Sequence, residues 1–150
     1  MTPHPETDNH AAVLNENLGG FNRTMGLAFI KATNAEVIGE LTIAEQHLQP
    51  YGIVHGGVHA GLVEAACATG AAVDAIAHGR SVVGLENSTS FIRAARSGKL
   101  RVTARPVTRG RRTQVWEATV VGDDGKTLAS GRVRLLCLEP GSDLAGKEAG

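Results

Sequence analysis

Aromatic residues are scarce in this chain: three Phe, one Tyr and one Trp among 150 residues. So few ring faces offer little for stacking the bases of a single strand, and no nucleic-acid-binding module is recognisable. Cysteine is scarcer still. Cys67 lies in a run of small apolar residues and Cys137 in an apolar strand-like run, so both are expected to fill core space, not to form a bridge or hold a metal. No uninterrupted apolar run is long enough to span a bilayer. The opening MTPHPETDNH lacks the basic start and apolar stretch of a secretory signal, so a cytoplasmic address is expected. The formal net charge is zero, and neither an internal repeat nor a low-complexity linker interrupts the chain.

What is present is enough apolar material, 42% of residues, for one globular domain of ordinary size. Residues 1–20 read as a flexible segment that includes a short helix over Ala11–Leu18, stopped by Gly19-Gly20. Residues 21–139 form the domain, and 140–150, rich in glycine and charge, a second tail. Within the domain, Leu27–Asn34 and Glu36–Ile43 are expected to pair as strands around a turn at Asn34. A helix running from Gly56 or Gly57 to near His78 ends at Gly79. Strands follow over Ser81–Ile92, Leu100–Val107, Thr113–Val121 and Thr127–Leu138, with Gly122-Asp123-Asp124-Gly125 as a hairpin turn. One long helix followed by four consecutive strands is an α+β arrangement. Because this helix looks apolar on every side, the sheet must curl around it. Gly57, Gly61 and Gly70 each cost roughly 1 kcal/mol relative to alanine in a helix, so close packing is their expected purpose. Such a sheet leaves open edges, for which a dimer with a continuous sheet is the expected remedy.

From Gly56 to Val73 the chain reads GGVHAGLVEAACATGAAV, in which Glu64 is the only acid or base apart from His59. An ionised carboxylate in such surroundings costs several kcal/mol unless paired, solvated or protonated. Glu64 is therefore read as a functional group, with bonding to backbone or interfacial water as the alternative. A second concentration of charge lies between Arg93 and Arg112, where eight of the fifteen lysines and arginines fall with no acid among them. A cluster of this kind is an anion footprint, better suited in so short a segment to a small polyphosphate than to nucleic acid; the alternative, favoured for any one arginine, is a solvated strand face whose arginines pair with acids elsewhere. His55 and His59 stand four apart without a third ligand of suitable spacing, so no metal is expected there.

The segment Gln49-Pro50-Tyr51-Gly52-Ile53-Val54-His55-Gly56-Gly57, with Gly61-Leu62-Val63-Glu64 beyond it, resembles the signature of hotdog-fold acyl-CoA thioesterases. The nearest pattern is the 4-hydroxybenzoyl-CoA and phenylacetate-pathway type, whose acid lies on the central helix. The resemblance covers about residues 25–138 and takes in Gly84, Asn87–Arg93 (NSTSFIR) and Gly110–Trp116 (GRRTQVW). It implies a hotdog fold and an enzyme that cleaves the thioester of an acyl-CoA or aryl-CoA.

The roles it implies are physically reasonable. The amide of Gly56, helped by Gly57, would hold the oxyanion at a helix start. Glu64 would act as nucleophile or general base. Eight residues at 1.5 Å each put Glu64 about 12 Å along the helix from Gly56, so the two are expected to meet across a two-fold dimer. Gln49 would orient the carbonyl or the water, or else bond local backbone. His55 belongs to the candidate catalytic set, although its expected work is to bond loop backbone and fix the helix start. His59 is assigned nothing. Arg93, Arg111 and Arg112 would line the nucleotide end of coenzyme A, matching phosphate oxygens. Coenzyme A is then the carrier half of the substrate, and no bound cofactor is expected.

One position departs from the family pattern. Where a hydroxyl often stands four residues after the acid, this chain has Ala68; Thr69 is adjacent but points about 100° further round the helix. Thr69 is thus a candidate substrate contact. Two alternatives share the fold: a hydratase or dehydratase, and a non-catalytic acyl-CoA-binding module. No nucleic-acid or membrane partner is expected, and the assembly is expected to be a homodimer or a homotetramer made of two dimers.

Overall fold

A computed structural model describes residues 4–149; residues 1–3 and Gly150, parts of the two expected tails, lie outside the described residues. Six antiparallel strands form one sheet: β1 (Ala28–Ala32), β2 (Val37–Thr42), β3 (Ser81–Phe91), β4 (Lys99–Arg109), β5 (Thr113–Val121) and β6 (Thr127–Leu138). They lie in the order β1-β2-β4-β5-β6-β3. Two short helices, α1 (Ala11–Glu16) and α2 (Gly20–Met25), precede the sheet, and the long α3 (Gly56–Ile76) packs against its inner face. This is the α+β hotdog arrangement expected from the sequence.

The strands follow from two-residue alternation. Leu100, Val102 and Ala104 of β4 are buried against the helix side, while Arg101 and Arg105 between and beyond them are exposed. Gln114, Trp116, Ala118 and Val120 continue that layer on β5, and Val133 and Leu135 on β6. Trp116, wholly buried, stands directly under Gly70 of α3, where a Cβ would run into the indole ring. The absent side chain lets the helix sit down on the tryptophan, as the glycine content of the helix leads one to expect. Gly61 serves a different neighbour. A Cβ there would meet Phe21 at 3.1 Å and Met25 at 3.2 Å, so the element approaching at Gly61 is α2, not a strand.

Helix α2 is absent from the sequence-based expectation. Helix α1 already ends at Glu16, capped by Asn17, so Gly19-Gly20 does not stop it; Gly20, with φ of 55°, instead opens the next helix. Phe21 and Met25 are four residues apart and so share one face, which is the face turned toward α3. At its far end α3 stops short of Gly79, whose φ of 71° takes the chain out of the helix.

The expectation that α3 is covered on every side is corrected. Gly57, Gly61, Glu64, Ala68, Ala72 and Ile76 are half-buried or exposed, and at spacings of three and four they form one stripe. Six strands curl over only part of the helix circumference, and the sheet ends at β3. That edge strand pairs with β6 on one side only. It is eleven residues long and leaves Leu85, Phe91 and, just past it, Ile92 exposed. Among the described residues no helix is long and apolar enough to cross a membrane.

Residues 4–10, part of the expected N-terminal tail, bond to the β1–β2 turn. His10 N–H donates to the Ala32 carbonyl (2.9 Å), Thr7 N–H to Asn34 Oδ1 (3.0 Å), and Asn34 Nδ2 to the Pro5 carbonyl (3.0 Å). Near the C-terminus, β7 (Asp143–Leu144) and β8 (Lys147–Glu148) form a small hairpin.

Candidate active site

The start of α3 is shaped by His55. Its Nδ1 accepts from the Gly57 amide at 2.7 Å and its carbonyl accepts from Val58 N–H at 2.9 Å. The two amides after Gly56 are therefore committed, and the Gly56 amide has no hydrogen-bond partner among the described residues. The expected help of Gly57 in holding an oxyanion is corrected on this ground: its N–H already caps the helix through His55. The Gly56 amide points from the positive end of a 21-residue helix, where an anionic oxygen is favoured. A Cβ at Gly56 would lie 2.6 Å from Phe91 Cε2, so the ring closes over the helix start only because this residue is glycine.

Gln49, Gly56, His59, Phe91 and Arg93 line one cavity of about 280 Å³. Gln49 Oε1 accepts from Tyr51 N–H, which fixes the side chain by its oxygen. His59 is 3% exposed, packs 6.2 Å from the Phe91 ring, and its Nδ1 has no partner. Burial lowers its pKa, so the ring is neutral at pH 7. A helical spacing of three residues sets His59 on the face of Gly56, while the preceding loop brings Gln49 to the same cavity.

Glu64 lines a second cavity, of about 390 Å³, together with Phe21, Asn22, Gly61, Ala68, Thr69 and Val82. Its carboxylate is half-buried, not sealed in oil as the helix composition implies. Asn87 Nδ2 donates to its Oε2 at 3.1 Å and to the Ala60 carbonyl at 3.0 Å, while Thr89 Oγ1 donates to Asn87 Oδ1 at 2.6 Å. Among the described residues no cation pairs with Glu64, and no hydrogen bond joins it to Thr69. Gly84 of β3 stands against Oε1. The two cavities share no residue. A single chain therefore keeps Glu64 apart from Gly56 and Gln49, in line with the 12 Å helical spacing estimated from the sequence.

The arginine cluster is mostly spent on internal partners, as the alternative of a solvated strand face paired with acids elsewhere requires. Arg96 donates to the Tyr51 and Gly52 carbonyls and Arg109 to the Asn34 carbonyl. Lys99 and Arg101 pair with Glu40, Arg105 with Glu36 and Arg111 with Glu139. The sheet register is responsible, since Glu40 lies directly opposite Arg101. Only Arg93 and Arg112 have side chains without a partner among the described residues. Arg93 lies in the Gly56 cavity, whereas Arg111 and Arg112 line another, of about 760 Å³, with Cys137 and Glu139.

Three residues of interest escaped the sequence: Phe21, Asn87 and Asp74. Asn87 falls within the family-like run NSTSFIR, but nothing local says that it grips Glu64. Asp74 follows the apolar helical stretch by one residue and is more deeply buried than Glu64. Cys67 takes no part, because burial, with Glu64 nearby, pushes its thiol far above the ordinary range.

A curled antiparallel sheet around one long helix, with a free amide at the helix start and an acid on the helix, defines a hotdog hydrolase of thioesters. The chain belongs to the thioesterase superfamily, whose model matches residues 51–129. It is 37% identical over 141 residues to a putative esterase of Mycobacterium tuberculosis, covering 93% of this chain and 98% of that protein. It is 31% identical over 113 residues to a 1,4-dihydroxy-2-naphthoyl-CoA hydrolase of Listeria monocytogenes, covering 75% of this chain and 91% of the relative. A solved thioesterase structure from Haemophilus influenzae superposes with a TM-score of 0.81 at 25% identity, over 86% of this chain and 90% of that one. The chain is a thioester hydrolase.

Proposed function

We propose that this protein hydrolyses an acyl-CoA or aryl-CoA thioester at a site built by two copies of the chain. Gly56 and Gln49 of one copy face Glu64 of the other. The observation that carries this reading is the division of the chemistry within one chain: the Gly56 amide, without a partner among the described residues, borders one cavity, and the carboxylate lies in another. Neither half suffices alone. The long unpaired edge of β3 is the natural seam, because an exposed edge invites a second strand and a two-fold axis makes the contact self-complementary. Antiparallel pairing along β3 sets the Phe91 end of one copy beside the Ser81 end of the other. Arg111 and Arg112 lie near that Ser81 end, since Cys137 donates to the Arg112 carbonyl and Val82 pairs with Cys137. Arg93 of one copy and Arg111 and Arg112 of the other then serve one coenzyme A, the partnerless Arg93 and Arg112 being free to take phosphate oxygens.

In this scheme the substrate carbonyl accepts from the Gly56 amide, which strengthens its hold as negative charge develops on oxygen. Gln49, fixed through its Oε1, offers its NH₂ to the carbonyl or to water. Glu64, aimed by Asn87, either attacks the carbonyl carbon, expelling the thiolate and forming a mixed anhydride that water then hydrolyses, or removes a proton from the attacking water and passes it to the leaving thiolate. Coenzyme A leaves as its thiol. His55 caps the helix and touches no reacting atom, and Thr69 contributes to the acyl wall.

Release of coenzyme A thiol, followed with a thiol reagent, tests the scheme in two stages. Glu64→Gln is expected to lower kcat by about 10²–10⁴-fold, the usual range for a lost acid–base group. Mixing Glu64→Gln chains with Gly56→Val chains, each inactive alone, restores activity on reassortment. Half the dimers are then mixed and each carries one intact site, so about a quarter of native activity returns. No recovery in demonstrably mixed dimers would place the whole site within one chain.

A further inference from the structure

We infer that His4, Asp74 and His78 form a binding site for a divalent first-row cation such as zinc, at the far end of α3 from the Gly56 helix start. The inference starts from Asp74. This carboxylate is 4% exposed and sits in the last turn of α3, where the negative end of the helix dipole disfavours it. A buried carboxylate ordinarily has a cationic partner. Among the described residues the only ionisable base within ion-pairing distance is His4, whose Nδ1 lies 2.9 Å from Asp74 Oδ1. Arg80, Arg109 and Arg111 line a cavity with Asp74, but none pairs with its carboxylate: Arg80 and Arg111 lie 3.4 Å from Glu139, the buried Arg80 Nε making no hydrogen bond, and Arg109 donates to the Asn34 carbonyl.

The ligand geometry is three-sided. One nitrogen each from His4 and His78 and one oxygen from Asp74 lie within 4.8 Å of one another. Zinc binds nitrogen and carboxylate oxygen at about 2.0–2.2 Å, which puts tetrahedral ligand atoms roughly 3.3 Å apart. Binding would therefore draw the exposed His78, just beyond the helix, inward. Two imidazoles and one carboxylate suit zinc and its first-row neighbours better than calcium or magnesium, which prefer all-oxygen shells.

The surroundings match the way proteins support a metal. Asp74 is held by Asn34 Nδ2 at 3.2 Å on Oδ1 and by Gln114 Nε2 at 3.2 Å on Oδ2. Gln114 is itself anchored, its Oε1 accepting from Trp116 Nε1 at 2.8 Å. Such outer contacts orient a ligating carboxylate. A cavity of about 300 Å³, bounded by His4, Asp74 and His78, gives water and the cation a way in. It shares no residue with the cavities that hold Gly56 and Glu64. The bound cation would tie the N-terminal segment to the end of the helix and take no part in thioester cleavage.

The test is calorimetric titration of zinc into the tag-free, chelator-washed full chain, alongside His78→Ala and His4→Ala. The expected result is one zinc per chain in the native protein, with affinity weakened at least about tenfold in each variant, since even an outer-shell loss costs 10–100-fold. His78 is exposed, so its removal leaves the fold intact, and an unchanged circular dichroism spectrum verifies this. Zinc should also raise the melting temperature of the native chain and leave that of His78→Ala unmoved. Absence of uptake by the native chain, or uptake unaltered by His78→Ala, overturns the proposal.

Discussion

Gly84→Ala is the sharpest probe of the carboxylate, because it keeps every candidate catalytic group chemically intact and displaces one of them. A Cβ at Gly84 would fall on Glu64 Oε1, inside the 3.0 Å that real Cβ contacts essentially never breach. Gly84 is not among the positive-φ glycines, so its backbone accepts the methyl group. The yielding partner is the end of the flexible Glu64 side chain, which must withdraw by roughly half an ångström or more and loosens its bond from Asn87 Nδ2. That lost bond is worth about 1 kcal/mol, or about 3 °C in a chain of this size. Catalysis is far more sensitive, since a displacement of about 1 Å costs on the order of 10²-fold. A fall in kcat of about 10–100-fold is expected, equivalent to about 1.4–2.7 kcal/mol of transition-state stabilisation. Steady-state release of coenzyme A thiol reads the rate, thermal melting the stability, and size-exclusion chromatography the assembly. A variant that elutes like the native protein and shows the fall of about 3 °C, yet keeps full kcat, would refute the placement of Glu64 in the reaction.

Three further outcomes are expected. Gly70→Ala pushes a methyl group into the Trp116 ring; overpacking of about 1–3 kcal/mol outweighs the roughly 1 kcal/mol gain in helix propensity, so melting should fall by several degrees, and a rise would show that the core yields there. Arg112→Ala should raise KM for coenzyme A thioesters by about tenfold, the worth of one charged hydrogen bond, and spare a pantetheine thioester lacking the nucleotide; equal effects on both would remove the phosphate role. For His59, burial lowers the folded-state pKa, so the unfolded chain binds the extra proton. Stability is therefore complete above the unfolded pKa of about 6.5 and declines as pH falls toward the folded value. His59→Leu should flatten the fall in melting temperature between about pH 7.5 and 5.5, and an unchanged slope would assign that loss to other groups.

Much of this architecture is legible in local pattern. The alternation Leu100, Val102, Ala104 and the Gly122–Gly125 turn mark strands and a hairpin because a pleated strand repeats every two residues. Thr113–Val121 and Thr127–Leu138 end where the sequence implies. The Gly-rich helix start and Glu64 are equally visible, since small residues and an isolated acid stand out against any helix background. Helix α2 was hidden by its length: six residues opened by a glycine carry little periodicity, and Phe21 with Met25 is the whole signal. Asp74 was hidden by context, because an acid near a helix end ordinarily faces water. Its burial comes from Asn34 and Gln114, forty residues away in either direction.

By itself the sequence decided the element types, the apolar layer that α3 and the strands share, and the residues fit for thioester chemistry. These depend on side-chain size and on periods of two and three to four, which are written into consecutive residues. Only the tertiary structure decided which amide at the helix start stays free, which arginines are consumed by Glu36, Glu40 and Glu139, and that Gly56 and Glu64 open into separate cavities. Those outcomes depend on which strand lies beside which and on how far a six-stranded sheet reaches round its helix. Such distances between remote residues are set by packing, and no local pattern encodes them.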